Sequence, residues 1–176
     1  SCSSLTTSAS AANNTITFST LSGGTYSDCT ITVTDSSSNP SSVLSVSSFS
    51  IDTTAPSLSE VTAVTTPTND NTSSYTFSSN EAGTITYGGS CSSQTTSASA
   101  SNNTIIFNEM ADGTYTDCTI SVSDNVSNNS SALSVSSFTI DQIAPTLSEV
   151  TAVTTPTNDN TPSYTFSSNE AGTITY

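Results

Sequence analysis

Every residue from Leu58 to Thr72 recurs, letter for letter, from Leu147 to Thr161. The same offset of 89 residues carries Cys2 to Cys91, Cys29 to Cys118, Asp52 to Asp141 and Pro56 to Pro145, without insertion or deletion. Residues 1–52 match 90–141 at 36 of 52 positions, and residues 53–87 match 142–176 at 31 of 35. A fixed period of this size is the mark of an array of modules, each large enough to be a small domain. The chain accordingly reads as the C-terminal part of one repeat (1–52), a complete repeat (53–141) and the N-terminal part of a third (142–176).

Within residues 53–141 the apolar positions mostly alternate, which is the period of a strand with one buried face. Leu58-x-x-Val61-x-x-Val64 predicts an irregular first strand, followed by strands at Tyr75-x-Phe77, Ile85-x-Tyr87 and Ile105-x-Phe107. Two longer ones follow, Tyr115…Cys118-x-Ile120-x-Val122 and Leu133-x-Val135-x-x-Phe138-x-Ile140. Turns rich in Gly, Pro, Asn and Asp separate them, and no segment has helical spacing. The fold class is all-β, a small sandwich in each repeat. Tyr115 is odd-numbered while Cys118, Ile120 and Val122 are even, so a β-bulge is expected near Thr116–Asp117 and again at Ser27–Asp28.

Serine and threonine fill 76 of the 176 positions, and the chain has no Lys, Arg or His against 14 Asp plus Glu, a net charge of −14. With no cation to neutralise phosphate, nucleic acid and anionic membrane surfaces are excluded as partners. Catalysis lacks a His base, a Lys nucleophile and any positive group for a developing anion, so the chain is read as not an enzyme. No apolar run is long enough to span a membrane. The cysteines recur as pairs 27 residues apart with no CxxC or His beside them. That favours one disulfide per repeat, Cys2–Cys29 and Cys91–Cys118, over metal binding or buried free thiols. Such a loop closure stabilises a domain by roughly 3–4 kcal/mol in the chain-entropy model and places the protein in an oxidising compartment, outside the cell or on its surface.

Asp112-Gly113-Thr114-Tyr115, the Asp124-Asn125 turn and Asp141-Gln142-Ile143-Ala144-Pro145, together with their counterparts, resemble the bacterial immunoglobulin-like repeats of large surface adhesins and secreted repeat proteins. The resemblance implies an immunoglobulin-like sandwich in which Tyr26 and Tyr115 are tyrosine corners. It departs from antibody domains in its cysteines. The strand at Ser74–Ser79 has no Cys and the chain has no Trp, so a Cys91–Cys118 bridge would join neighbouring strands of one sheet.

Twelve of the acids form six repeated pairs, Asp28/117, Asp35/124, Asp52/141, Glu60/149, Asp70/159 and Glu81/170. Turn capping accounts for such acids. The sharper expectation is Ca²⁺ between repeats, because this hard cation takes six to eight oxygens. Stacking would bring Asp70, Asp112 and Asp141 close to Glu170 of the next repeat, with Asp52, Glu81 and Asp124 as further candidates. Asn-x-Ser/Thr sequons at Asn13, Asn71, Asn102, Asn125, Asn128 and Asn129 offer sites for sugars, as do exposed Ser and Thr.

The expected function is a structural module of an extracellular fibre or adhesin stalk, with repeats stacked head to tail and neighbouring identical repeats as partners. Two arrangements account for the incomplete outer repeats. In the preferred one they belong to a longer continuous polypeptide. In the other, half-domains of adjacent subunits complete one another in a non-covalent filament. A ligand-binding adhesin module, receiving a sugar or protein on its loops, is the rival from another class. The loops are Ser, Asn and Gly in both copies, which favours a spacer.

Overall fold

A computed structural model describes residues 2–176, and it is all β. The first segment forms β1 (Gly24–Tyr26), β2 (Thr30–Ile31), β3 (Leu44–Ser45) and β4 (Phe49–Ile51). β1 pairs with β4 and β2 with β3, both antiparallel.

Nine strands follow in residues 53–141. They are β5 (Leu58–Thr62), β6 (Ser74–Ser79), β7 (Gly83–Gly88), β8 (Ser97–Ala98), β9 (Asn102–Ile106), β10 (Gly113–Tyr115), β11 (Thr119–Ser123), β12 (Leu133–Ser134) and β13 (Phe138–Ile140). One sheet has the order β5-β6-β9, a second β12-β11-β7-β8, and β10 pairs with β13. The alternation in sequence decides which side chains go inward. Tyr75 and Phe77 of β6, Ile105 of β9, Ile85 of β7 and Ile120 and Val122 of β11 meet in one core with Phe107, Phe138 and Ile140. Two serines are buried with them, and both are satisfied. Ser73 Oγ donates to the Asp70 carbonyl at 2.6 Å, and Ser79 Oγ to the Glu81 carbonyl at 2.6 Å.

The expected bulge at Thr116–Asp117 is not there. Tyr115 faces Phe138 and Thr119 faces Ser134, four steps along each strand, so neither strand carries an extra residue. Between those pairs Val135 N still donates to the Cys118 carbonyl at 3.0 Å, so the two strands pass residues 116–118 and 135–137 in step. The second strand shows the matching break, since Val135 and Phe138 are both buried although three residues apart. Ser27–Asp28 behaves likewise, with Tyr26 facing Phe49 and Thr30 facing Ser45. A true register shift occurs on β5, between Glu60 and Thr62. It leaves Val61 47% exposed, where an inward position was expected, while Val64 is buried.

The last segment forms β14 (Leu147–Thr151) and β15 (Thr165–Ser168), whose pairing copies that of β5 with β6, register shift included. Its burial does not follow. Tyr75 and Phe77 are both 0% exposed, but the equivalent Tyr164 and Phe166 are 54% and 37% exposed. Pairing is therefore a local property of this sequence, and burial depends on the segment that packs over it. Deleting a fully buried Phe side chain costs about 3–5 kcal/mol, and a surface change about 0.5 kcal/mol or less. In thermal unfolding of the dilute chain, Phe77→Ala should lower the Tm of the main transition strongly. Phe166→Ala should leave that transition in place.

Candidate functional site

Cys91 follows β7 and Cys118 precedes β11, and these strands are paired, with Gly88 facing Thr119. The Cys91–Cys118 bridge, with Cα atoms 5.2 Å apart, thus ties two neighbours of one sheet, as the cysteine positions implied. Gly89 makes the turn beside it at φ +70°, where a side chain would run into the Asp117 backbone. Cys2–Cys29 closes the corresponding loop wholly within the first segment. The Tyr115 hydroxyl donates to the carbonyl of Ala111 at 2.8 Å, and that of Tyr26 to Ser22 at 2.8 Å. Their rings belong to aromatic stacks. In the middle segment the stack runs Tyr115–Phe138–Phe107–Tyr75, with centroids 5.3, 5.9 and 6.1 Å apart. In the first segment it runs Tyr26–Phe49–Phe18 and stops, at 5.3 and 5.6 Å.

The two segment boundaries are built from short polar contacts. At the first, Asp52 Oδ1 accepts from Thr54 N at 2.9 Å, the Asp52 carbonyl accepts from Asn128 Nδ2 at 3.3 Å, and Asn80 Oδ1 accepts from Ser57 N at 2.7 Å. At the second, Asp141 Oδ1 accepts from Ile143 N at 3.1 Å and Asn169 Oδ1 from Thr146 N at 2.6 Å. There Asp112 Oδ1 also accepts from the backbone and side chain of Gln142, both at 3.1 Å. The first boundary has Gly23 and Thr53 in their place, so the two share the local aspartate and asparagine contacts and differ in the Asp112–Gln142 and Asn128–Asp52 bonds.

Asp52, Glu81 and Asp124 come together at the first boundary, each with a carboxylate oxygen within 4.8 Å of the others. The expected grouping of Asp70, Asp112 and Asp141 with Glu170 does not form among the described residues. Each of these three aspartates is turned to nearby backbone or side-chain donors instead. Asp70 Oδ1 accepts from the backbone and hydroxyl of Thr72, while Asp112 and Asp141 bind Gln142 and Ile143. Asp52, Glu81 and Asp124 are the residues that could hold a cation such as Ca²⁺, supplying part of the six to eight oxygens it needs.

Asp124 has a second role, already visible in its contacts. It accepts from Val126 N at 2.9 Å and from Asn128 N and Nδ2, both at 2.8 Å, closing a five-residue loop in which Ser127 lies at φ +71°. Burial works against its charge, but the Asn128 and Val126 bonds outweigh it and lower its pKa. Asp35 forms the same loop, and the bonds from Asn39 lower its pKa too. Glu60, one of the repeated acids, has no role that its place in the sequence marks. It accepts from Ser136 N at 2.9 Å and Ser136 Oγ at 2.7 Å, joining β5 to the segment between β12 and β13. Burial opposes its charge, yet these bonds hold its pKa low. Burial, with Glu60 nearby, raises the pKa of the Tyr75 hydroxyl. Glu60 recurs as Glu149, but nothing local in the sequence marks a partner 76 residues away.

No protein-family model matches the chain, and a comparison with curated proteins found no match.

An acid whose pKa falls on folding stabilises the fold above its unfolded pKa and loses that contribution as pH drops through the folded value. Stability should therefore fall as the pH drops below about 4, where Asp35, Glu60 and Asp124 take up protons. Asp124→Asn should make the loss shallower in chemical unfolding across this range, and an unchanged pH profile would remove Asp124 from the account. A Ca²⁺ titration addresses the cluster. A Tm rise abolished by Glu81→Gln assigns it to a cation, and an unchanged Tm leaves its acids as turn-capping groups.

Proposed function

We propose that the chain is a structural module of an extracellular fibre or adhesin stalk in which immunoglobulin-like sandwiches of 89 residues stack head to tail. The observation that carries this reading is the boundary itself. The asparagine and aspartate contacts that shape the connection at residues 52–57 recur at 141–146, so the chain passes from one unit into the next through the same local contacts twice. Pro56 is buried at the first boundary, and a residue preceding proline is held extended, which keeps the connection short. Residues 53–141 enclose a core of their own, as one link of such a stalk must.

The resemblance to bacterial immunoglobulin-like repeats supports the same assignment through Asp112-Gly113-Thr114-Tyr115 and the upstream hydrogen bond of Tyr115. The two disulfides support an oxidising environment. No helix among the described residues is long and apolar enough to cross a membrane. Polar loops that are nearly the same in both copies suit a spacer, and a net charge of −14 keeps neighbouring fibres apart.

Electron microscopy of the native material tests the reading. Unbranched rods with a regular axial repeat of one unit are expected. Compact particles without axial periodicity would overturn it.

A further inference from the structure

The opening and closing stretches of the middle unit lie side by side and run the same way. Pro56, Ser57 and Leu58 line a cleft with Ser131, Ala132 and Leu133. Next along, Glu60 accepts from the backbone and hydroxyl of Ser136. Further on, Thr139 N donates to Thr66 Oγ1 at 2.9 Å. Thr68 then meets Ile140 in a parallel bridge, where Thr68 N donates to the Thr139 carbonyl at 3.0 Å and Asp141 N to the Thr68 carbonyl at 2.9 Å. Residue numbers rise together on the two sides, so residues 56–68 and 131–141 are parallel from one end of the contact to the other.

We infer that these two stretches form a clamp that carries tension along the array. The inference rests on the stacked-unit reading and names the bonds that bear the load in each unit. The chain enters the unit before Pro56 and leaves it after Asp141. Tension therefore draws residues 56–68 back towards their start and residues 131–141 forward towards their end. Parallel neighbours drawn in opposite directions slide along each other, which loads the five hydrogen bonds between them at once. One such bond contributes little by itself, but bonds loaded in shear must fail together, whereas a peeled ladder loses them one at a time. The strands from β6 to β11 enter the line of tension only after the clamp opens. The side chains that the clamp uses, Glu60, Thr66 and Ser136, recur unchanged as Glu149, Thr155 and Ser47.

The disulfide lies behind the clamp and gives the test its marker. Cys91 and Cys118 are both buried and both fall between the two stretches in sequence. When the clamp fails, the span they close cannot extend until the disulfide is reduced. Reduction should lengthen the unfolding step of residues 53–141 by about 90 Å, the reach of the 27 residues between the cysteines.

The experiment is single-molecule force spectroscopy of the full chain, with and without dithiothreitol, which identifies the step that lengthens as the middle unit. Forced unfolding is governed by the unfolding rate rather than by equilibrium stability, so force and Tm are read side by side. Pulled from its two ends, the unaltered chain should open this unit at a force about twofold or more above that needed when the second handle replaces Val126. Val126 is exposed on the loop beside Asp52, and tension between the chain start and that loop peels the clamp instead of shearing it. The pair Glu60→Ala and Thr66→Ala should lower the end-to-end force about twofold. Ile105→Val, in the core of β9 and off the load path, should lower Tm and leave that force unchanged. Equal forces in the two pulling directions would overturn the clamp, and this comparison needs no substitution within it. So would a force that falls with Tm alike in all variants. Rods seen by microscopy together with equal forces would sink the clamp and spare the stacked-unit reading. Absent rods would remove that reading, and with it the load the clamp is inferred to carry.

Discussion

The apolar face of β5 and β6 has to be covered by a segment that lies later in the chain. A two-stranded antiparallel ladder closes its backbone hydrogen bonds locally, but it cannot hide its own side chains. Tyr75 and Phe77 are removed from water only because β9, β11 and β13 bring Ile105, Ile120, Val122 and Phe138 over them. The last segment repeats the ladder without the cover, and its rings lie in solvent. Burial of apolar area is the main favourable term in folding, so most of the stability of a unit depends on the meeting of its two halves. The Glu60–Ser136 link holds part of that meeting in place, while the disulfide and the upstream bond of Tyr115 brace the covering half.

A chain so rich in Ser and Thr has to stabilise its sheets without ion pairs, since it has no basic side chain. Hydroxyl pairs across the outward faces do part of this. Ser59 pairs with Ser78 at 2.7 Å, Thr76 with Thr104 at 2.9 Å and Thr114 with Thr139 at 3.0 Å. Such cross-strand pairs contribute roughly 0.2–1 kcal/mol each, and being uncharged they lose nothing as salt changes. The acids are spent on turns, where Asp35, Asp70, Asp124 and Asp159 each accept from a backbone N–H two residues on. The pattern is consistent with a surface that is polar, repellent to its neighbours and rigid at its loops.

The all-β class, the strands at Tyr75, Ile85 and Ile105 and the disulfide partners were legible because they rest on local alternation and on a spacing copied twice. The absence of a bulge at Thr116–Asp117 is not legible from one strand alone. The parity change from Tyr115 to Cys118 has its match in Val135 and Phe138, and only pairing shows that two equal breaks cancel. How the acids group was not legible for a related reason. Asp70, Asp112 and Asp141 were assigned by the end of the unit they occupy, but each is engaged within a few residues of its own loop or with Gln142. Asp52, Glu81 and Asp124 meet because a chain boundary folds back on two loops. Glu60 had no local signal at all.

Amide hydrogen exchange by NMR on the dilute, monomeric chain tests the central claim most directly, because the stretch from Ser74 to Tyr87 is identical to that from Ser163 to Tyr176. Exchange reports the free energy of opening at each amide. The account predicts slow exchange, close to the global limit, at Tyr75–Phe77, and exchange at least a hundredfold faster at Tyr164–Phe166. Equal protection of the two copies would show that the ladder is stable without its cover, and would contradict the account.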